Sequence, residues 1–289
     1  MEAITWIECP RDAMQGYATV FRTEDKIAYL RRLMAVGFDC LDLASFVSPK
    51  SIPQMVDSVQ VLDALAPDKG LNKFLVIAAN SQGIDAALAH EAVDAVGVPF
   101  SISEQFQIRN TKRSQEQALD DWSASVDRLH SGDKQLVVYL SMAFGNPYDE
   151  AHSIDLVAEW TARVVKRLNP HVLSISDTVG NANPEGIRSV VSAVRKEAGT
   201  AELGLHLHMP AANALSNGLL DAAWDSGIRR FDTALLGLGG CPYAQNELVG
   251  NLPTEALLTF ATARGATFGI KPLALESAHN AAREFFNYL

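Results

Sequence analysis

Short apolar runs alternate with longer amphipathic stretches along the whole chain. The runs at 4–9, 40–45, 73–79, 95–101, 135–142, 171–176, 203–208 and 230–236 have strand length and few polar interruptions. Near-continuous apolarity of this kind suits strands covered on both faces. Between them, 23–36, 51–65, 82–90, 113–130, 153–168, 184–198, 211–226 and 254–264 carry helical spacing. Ile27, Leu30, Leu33 and Met34 share one helical face, as do Val157, Trp160, Val164 and Leu168. Strand–helix pairs in series predict βαβ units and a parallel sheet. Eight such pairs favour closure into a (β/α)8 TIM barrel. An open doubly wound sheet would place a glycine-rich phosphate loop after its first strand. Pro10-Arg11-Asp12 stands there instead.

The 289 residues contain no linker, repeat or low-complexity tract, so one catalytic domain over 1–289 is expected. Residues from about 265 onward read as a helical extension with a break at Pro272-Leu273. A hydrophobic fraction of 48% and a charged fraction of 20% are ordinary for a soluble globular protein. The formal net charge of -10 argues against nucleic acid as a partner. It also requires that any polyanionic ligand meet a local basic cluster. Lys50 and the run Arg109, Lys112, Arg113 are the candidates, the bland reading of the run being a solvated helix start. Three cysteines, Cys9, Cys40 and Cys241, give no disulfide framework and fit a reducing cytosol. No apolar stretch reaches the length of about 18 residues that a membrane-spanning helix needs. A strand-like run opens the chain with no signal peptide, so the cytoplasm is the expected setting. A homodimer is the expectation by base rate.

In a barrel of this type the chemistry sits at the C-terminal ends of the strands. The polar residues there are Arg11 and Asp12 after the first strand and Asp42 on the second. Ser141, Asn146 and Tyr148 follow the fifth, Ser174, Ser176, Asp177 and Thr178 the sixth, and His206 and His208 the seventh. Side chains two apart on a strand point the same way, so His206 and His208 can both reach one metal ion. A lone strand histidine is more often structural; two at this spacing favour a ligand pair. Asp12 can complete the set because the first and last strands of a barrel adjoin. Histidine and carboxylate ligands suit Mg or Mn, with Zn possible. Arg11 is either one half of a surface salt bridge or a cation for a developing enolate oxygen. Cys241 follows Gly237, Gly239 and Gly240, and glycines let a loop move. A thiol in such a loop can protonate a carbanion. Cys9 and Cys40, within strand runs, read as inert core cysteines.

These segments resemble the 3-hydroxy-3-methylglutaryl-CoA lyase family. Glu8-Cys9-Pro10-Arg11-Asp12-Ala13-Met14-Gln15 is similar to that family's Pro-Arg-Asp-Gly-Leu-Gln start. Ser45-Phe46-Val47-Ser48-Pro49-Lys50 with Ile52-Pro53-Gln54-Met55 is similar to its second-strand segment, and Ser174 to Gly180 to its sixth. Gly239-Gly240-Cys241-Pro242-Tyr243-Ala244 with Gly250-Asn251 is similar to its catalytic loop. The matching segments run in order from residue 4 to about 264. There are departures. Asp42 stands where the family has glutamate, Met209-Pro210 where many members have Asp-Thr, Ala18 where many have a basic residue, and Asn146 where many have cysteine. The segment from Cys241 to Asn251 is one residue longer than in the animal enzyme, as in a bacterial branch.

The resemblance implies a divalent metal held by Asp12, His206, His208 and Asn251. It implies that Arg11 stabilises an enolate oxygen, that Cys241 delivers the proton, and that Asp42 or Asp177 takes the substrate's hydroxyl proton. Gln15, Ser174, Asn80, Asn110 and Glu255 become supporting substrate contacts; Lys50 stays a candidate CoA contact on its charge alone. The implied reaction breaks the C2–C3 bond of 3-hydroxy-3-methylglutaryl-CoA to give acetoacetate and acetyl-CoA. The same chemistry on another branched 3-hydroxyacyl-CoA stays open. A Claisen-condensing acyltransferase would usually carry further C-terminal domains. A metal-dependent hydrolase barrel would place its His-x-His on the first strand, and a non-catalytic binding barrel would have no use for the ligand set.

Overall fold

Each apolar run becomes a strand. In the computed structural model, which describes residues 2–17, 19–240 and 249–287, these are β1 (Thr5–Glu8), β2 (Cys40–Phe46), β3 (Phe74–Ala78), β4 (Ala95–Ser101), β5 (Gln135–Ser141), β6 (Val172–Asp177), β7 (Glu202–Leu207) and β8 (Arg230–Thr233). All pair in parallel in chain order, and β8 closes on β1 from Thr5 opposite Arg230 to Glu8 opposite Thr233. The fold is the expected TIM barrel.

Alternation along the strands divides the core in two. Ile7, Cys40, Leu75, Ile77, Ala95, Val137 and Val172 pack together as one cluster, which fills the barrel. Trp6, Leu41, Phe74, Val96, Val138 and Leu173 belong to the larger cluster between strands and helices. The packed interior leaves the C-terminal strand ends as the place for a site. The β2–β3 register shifts between Asp42 and Ala44, an irregularity that re-aims side chains.

The helices are α1 (Pro10–Gln15), α2 (Thr23–Met34), α3 (Ser58–Leu65), α4 (Ser81–Ala89), α5 (Glu104–Thr111), α6 (Gln115–Ser131), α7 (Ile154–Leu168), α8 (Pro184–Glu197), α9 (Leu219–Asp225), α10 (Thr254–Ala263) and α11 (Pro272–Phe285). Two of them lie outside the helical spacing. Pro10 opens α1 at a position where its missing N–H is no loss, and Ser103 caps α5 by accepting from Phe106 N. Two expected helices start late. Pro53–Met55 is a single 3-10 turn before α3, and α9 begins only after Gly218, whose φ of 75° resets the chain. Pro272 opens α11 instead of breaking it. Helix α11 packs on α2, with Phe285 stacked on Tyr29 at 4.9 Å and on Phe21 at 4.2 Å. Phe286, just past it, reaches Tyr17 at 5.2 Å, beside the end of α1.

Candidate functional site

The last ladder bond of β1 runs from Cys9 N to Thr233 O, and α1 starts at the next residue. Arg11 and Asp12 are therefore carried by a helix turn, not by a strand. Asp12 is buried. Burial alone would raise its carboxyl; the Arg11 guanidinium and the His206 and His208 imidazoles outweigh that and hold it at about 2. Its Oδ1 meets Arg11 Nη1 at 3.0 Å and accepts from Gln15 Nε2 at 2.5 Å. Its Oδ2 accepts from Asn251 Nδ2 at 2.7 Å.

His206 lies on β7 and His208 just past it. His206 Nδ1 faces Asp232 Oδ2 at 3.2 Å, and His208 Nδ1 faces the Thr178 carbonyl at 2.9 Å. Both partners are acceptors, so both Nδ1 atoms carry protons. The two Nε2 lone pairs then face each other at 3.1 Å, an arrangement that a cation or a shared proton must relieve. Ligand atoms of Asp12, His206 and His208 all lie within 4.8 Å of one another. Asn251 is fixed by donating to Asp12 and to Leu238 O, both at 2.7 Å. Burial and the neighbouring His206 push His208 down to about 4, which keeps it neutral, the ligand form. Burial lowers His206 too, but the hydrogen bond to Asp232 wins and its pKa is raised. One carboxylate, two imidazoles and one amide fit a hard or borderline divalent cation. Cys9, close to His206 and Asp232, is unsuited to join them, because burial and the surrounding carboxylates push its thiol far up.

Arg11 holds Asp42 through two bonds, Nε to Oδ1 at 3.2 Å and Nη2 to Oδ2 at 2.5 Å. Nη1 serves Asp12 at 3.0 Å and Gln15 at 2.8 Å. Asp42 sits at the β2 irregularity with no exposed surface.

A cavity of about 310 Å³ opens over these groups, with Arg11, Asp12, Gln15, His206 and His208 on its wall. Asn80, Asn110, Lys112, Ser141, Ser176, Thr178 and Tyr139 line it as well. Gln15, Asn80 and Asn110 thus stand where substrate contacts were expected. Several expected residues do not. Asp42 lies behind Arg11. Asp177 gives both carboxylate oxygens to the backbone N–H groups of Asn181 and Ala182, each at 2.9 Å. Ser174 bonds Asp232 at 3.2 Å, inside the barrel. Lys50 is exposed and off the wall. Glu255 accepts from Leu236 N at 3.1 Å and pairs with His279 at 3.4 Å. Of the basic run, Lys112 lines the cavity, Arg109 stacks over the Tyr148 ring and Arg113 faces Asp121. Cys241 lies outside the described residues.

Comparison with known proteins decides the family. The HMGL-like family model matches residues 3–281. The chain belongs to the HMGL-like family. It is 33% identical over 271 residues to the mitochondrial hydroxymethylglutaryl-CoA lyase of Homo sapiens, covering 94% of this chain and 82% of that one. It is 32% identical over 249 residues to the 3-hydroxy-3-isohexenylglutaryl-CoA/hydroxymethylglutaryl-CoA lyase of Pseudomonas aeruginosa, covering 86% and 81%. An HMG-CoA lyase from Acinetobacter baumannii, solved with coenzyme A and 3-methylmalate, superposes with a TM-score of 0.87 at 28% identity, covering 99% and 92%.

Two residues of this HMGL-like site escaped the sequence reading. Asp232 pairs in register with His206 across β7 and β8; a carboxylate inside an apolar strand run was the available signal. Tyr139 shares its strand face with Ser141 and packs edge-on to His206 at 5.8 Å. Its buried hydroxyl has no hydrogen-bond partner among the described residues. Nothing in an aromatic strand residue distinguishes that from ordinary core.

Proposed function

We propose that this chain cleaves 3-hydroxy-3-methylglutaryl-CoA to acetoacetate and acetyl-CoA. The observation that carries the reading is the convergence of Asp12, His206 and His208 beside Arg11 on one cavity wall. The relatives named for this reaction match over most of their own length, which supports it.

Asp12, His206, His208 and Asn251 are the residues to hold a divalent cation, Mg or Mn by donor type. Such a cation, when bound, supplies positive charge that acidifies a coordinated hydroxyl. Asp232 and Thr178 keep both imidazoles in the ligand tautomer. Once the hydroxyl proton leaves, the C2–C3 electron pair moves onto the thioester, C3 becomes the ketone of acetoacetate, and C2 becomes an enolate. Arg11 receives the enolate oxygen, oriented for it by Asp42 and Gln15. Asp42 acts by holding Arg11, and Asp177 by anchoring the loop after β6, so the base is a group on the cavity wall. Cys241 returns a proton to C2. Lys112, Asn110 and Asn80 meet the CoA end. We place the activity in one domain over 1–289, acting as a homodimer in the cytoplasm; the free, buried Cys9 and Cys40 agree with a reducing compartment.

The test is product analysis by mass spectrometry with added Mg or Mn, using 3-hydroxy-3-methylglutaryl-CoA and a longer branched 3-hydroxyglutaryl-CoA. Acetyl-CoA and acetoacetate should appear, and chelator, His206→Ala or His208→Ala should abolish them. Cleavage of the longer substrate alone would move the acyl specificity. Turnover of none of them, or full activity in the histidine variants, would overturn the reading.

A further inference from the structure

Glu8 is wholly buried, outside the cavity, and takes no part in the chemistry proposed above. It points from the end of β1 toward the helical layer. There its carboxyl group meets the residues that follow β8 and the first residue of α10. Oε1 accepts from Leu235 N at 2.7 Å, just after β8. Oε2 accepts from the Thr254 hydroxyl at 2.6 Å, at the first residue of α10, and from the Thr233 hydroxyl at 3.0 Å. Trp6 Nε1 in turn donates to the Thr233 oxygen at 2.8 Å.

The turn that Glu8 holds is strained. Leu236 has φ 64°, a left-handed conformation that a branched side chain resists. The parallel ladder has ended here, so the Leu235 and Leu236 amides have left it; Glu8 takes the first and Glu255 the second. Three residues later Gly239 packs so close that a Cβ would lie 2.5 Å from Asn251 Nδ2 and 2.8 Å from the Asp12 carbonyl oxygen. On the far side Asn251, three residues before Thr254, donates to Asp12 at 2.7 Å. Backbone bonds already join the two stems, from Ala234 N to Leu252 O at 3.1 Å and from Thr254 N to Ala234 O at 3.2 Å, and Glu8 ties them a second time through side chains.

We propose that Glu8 is a positioning residue: its carboxyl group reinforces the junction of the Leu235 turn with Thr254 and so helps hold Asn251 and Gly239 against Asp12. A buried acid is an expensive choice for a structural tie. Burial pushes the Glu8 carboxyl up to about 8, against the pull of its hydrogen bonds to Thr254, Leu235 and Thr233. The inference rests on the cation reading of the Asp12 site for its functional consequence, but the clamp itself can be read without any metal.

The test uses the full chain and Glu8→Leu, which removes both carboxyl oxygens whatever their protonation. Thr254→Val removes one of the hydroxyls, and Thr254→Ser keeps it. In metal-free protein, hydrogen exchange read by mass spectrometry should rise about tenfold in Glu8→Leu and Thr254→Val over 231–240 and 249–257, and stay unchanged over β3 to β5. Mn²⁺ affinity, measured by calorimetry, should fall about tenfold in the same two variants, with kcat lowered more than KM is raised. Thr254→Ser should behave as wild type. Combining Glu8→Leu with Thr254→Val should add little, since both break one clamp. Exchange that rises evenly over the whole barrel, or local loosening with unchanged Mn²⁺ affinity, would overturn the proposal. Failure of the wild type to bind Mn²⁺ would overturn the functional half and the cation reading together, while the exchange data would still decide the clamp.

Discussion

Arg11 offers a prediction whose size follows from counting donors. A guanidinium has five N–H groups. Nε–H and one N–H of Nη2 go to Asp42, and the two of Nη1 go to Asp12 and Gln15. One N–H of Nη2 is left, on a residue that lines the cavity. Arg11→Gln removes that single donor from the place where enolate charge develops. One preorganised donor of this type is worth about 100–1,000-fold in kcat, or ~2.7–4 kcal/mol. KM should change little, because the charge exists only near the transition state. The same substitution leaves the Asp42 carboxylate buried without its cation, and breaking a buried pair costs about 3–5 kcal/mol of stability. Low activity could then come from a poorly folded barrel. Arg11→Gln combined with Asp42→Asn separates the two effects, because an amide at 42 needs no counter-charge. The double variant should regain most of the midpoint lost in urea unfolding and none of the lost kcat. Acetyl-CoA release across a range of substrate concentrations supplies kcat and KM. If kcat returns with stability, Arg11 acts through folding. If KM rises while kcat holds, it is a ground-state contact. Either result refutes the argument.

Three further outcomes follow from single side chains. Asp232→Asn lets His206 take the wrong tautomer and should weaken Mn²⁺ binding about 10–100-fold by calorimetry; unchanged affinity would show that Asp232 does not orient the ring. Tyr139→Phe should lower kcat/KM roughly tenfold while raising stability by about 1 kcal/mol, since it deletes a buried hydroxyl with no hydrogen-bond partner among the described residues; a loss of stability with normal turnover would count against a substrate contact. Burial pushes Asp177 up to about 6, above its unfolded value, against the hydrogen bonds from the loop amides it anchors. The folded state thus holds the proton more tightly, and this stability is full below about pH 4 and is lost as pH rises through about 6. Unfolding free energies of wild type, referred to Asp177→Asn, should therefore fall by ~2–3 kcal/mol across that window; a flat difference would show that Asp177 is ionised throughout.

The eight strands were legible because a strand buried on both faces must be apolar along its whole length. Helices α1 and α5 were not, because each is short and carries the polar residues of the site or its rim, so no apolar stripe marks it. The late start of α9 depends on Gly218 at positive φ, which composition alone does not reveal.

The same division runs through the site. Spacing by itself put His206 and His208 on one face, because alternation along a strand is local geometry. Position after the first strand named Arg11 and Asp12, and motif resemblance added Asn251. Contacts between distant strands were invisible to it. Asp232, 26 residues from His206, reaches it only because β7 and β8 pair in register. Glu8 meets Thr254 across 246 positions only because the barrel closes. Asp177 and Glu255 looked like substrate groups by position, yet the backbone amides beside them take up their carboxylates. The sequence determined the barrel and the identity of the inward-facing donors, since both follow from periodicity along one element. Closure decided which donors share a cavity wall and which are consumed as supports, because that depends on register between elements far apart in the chain.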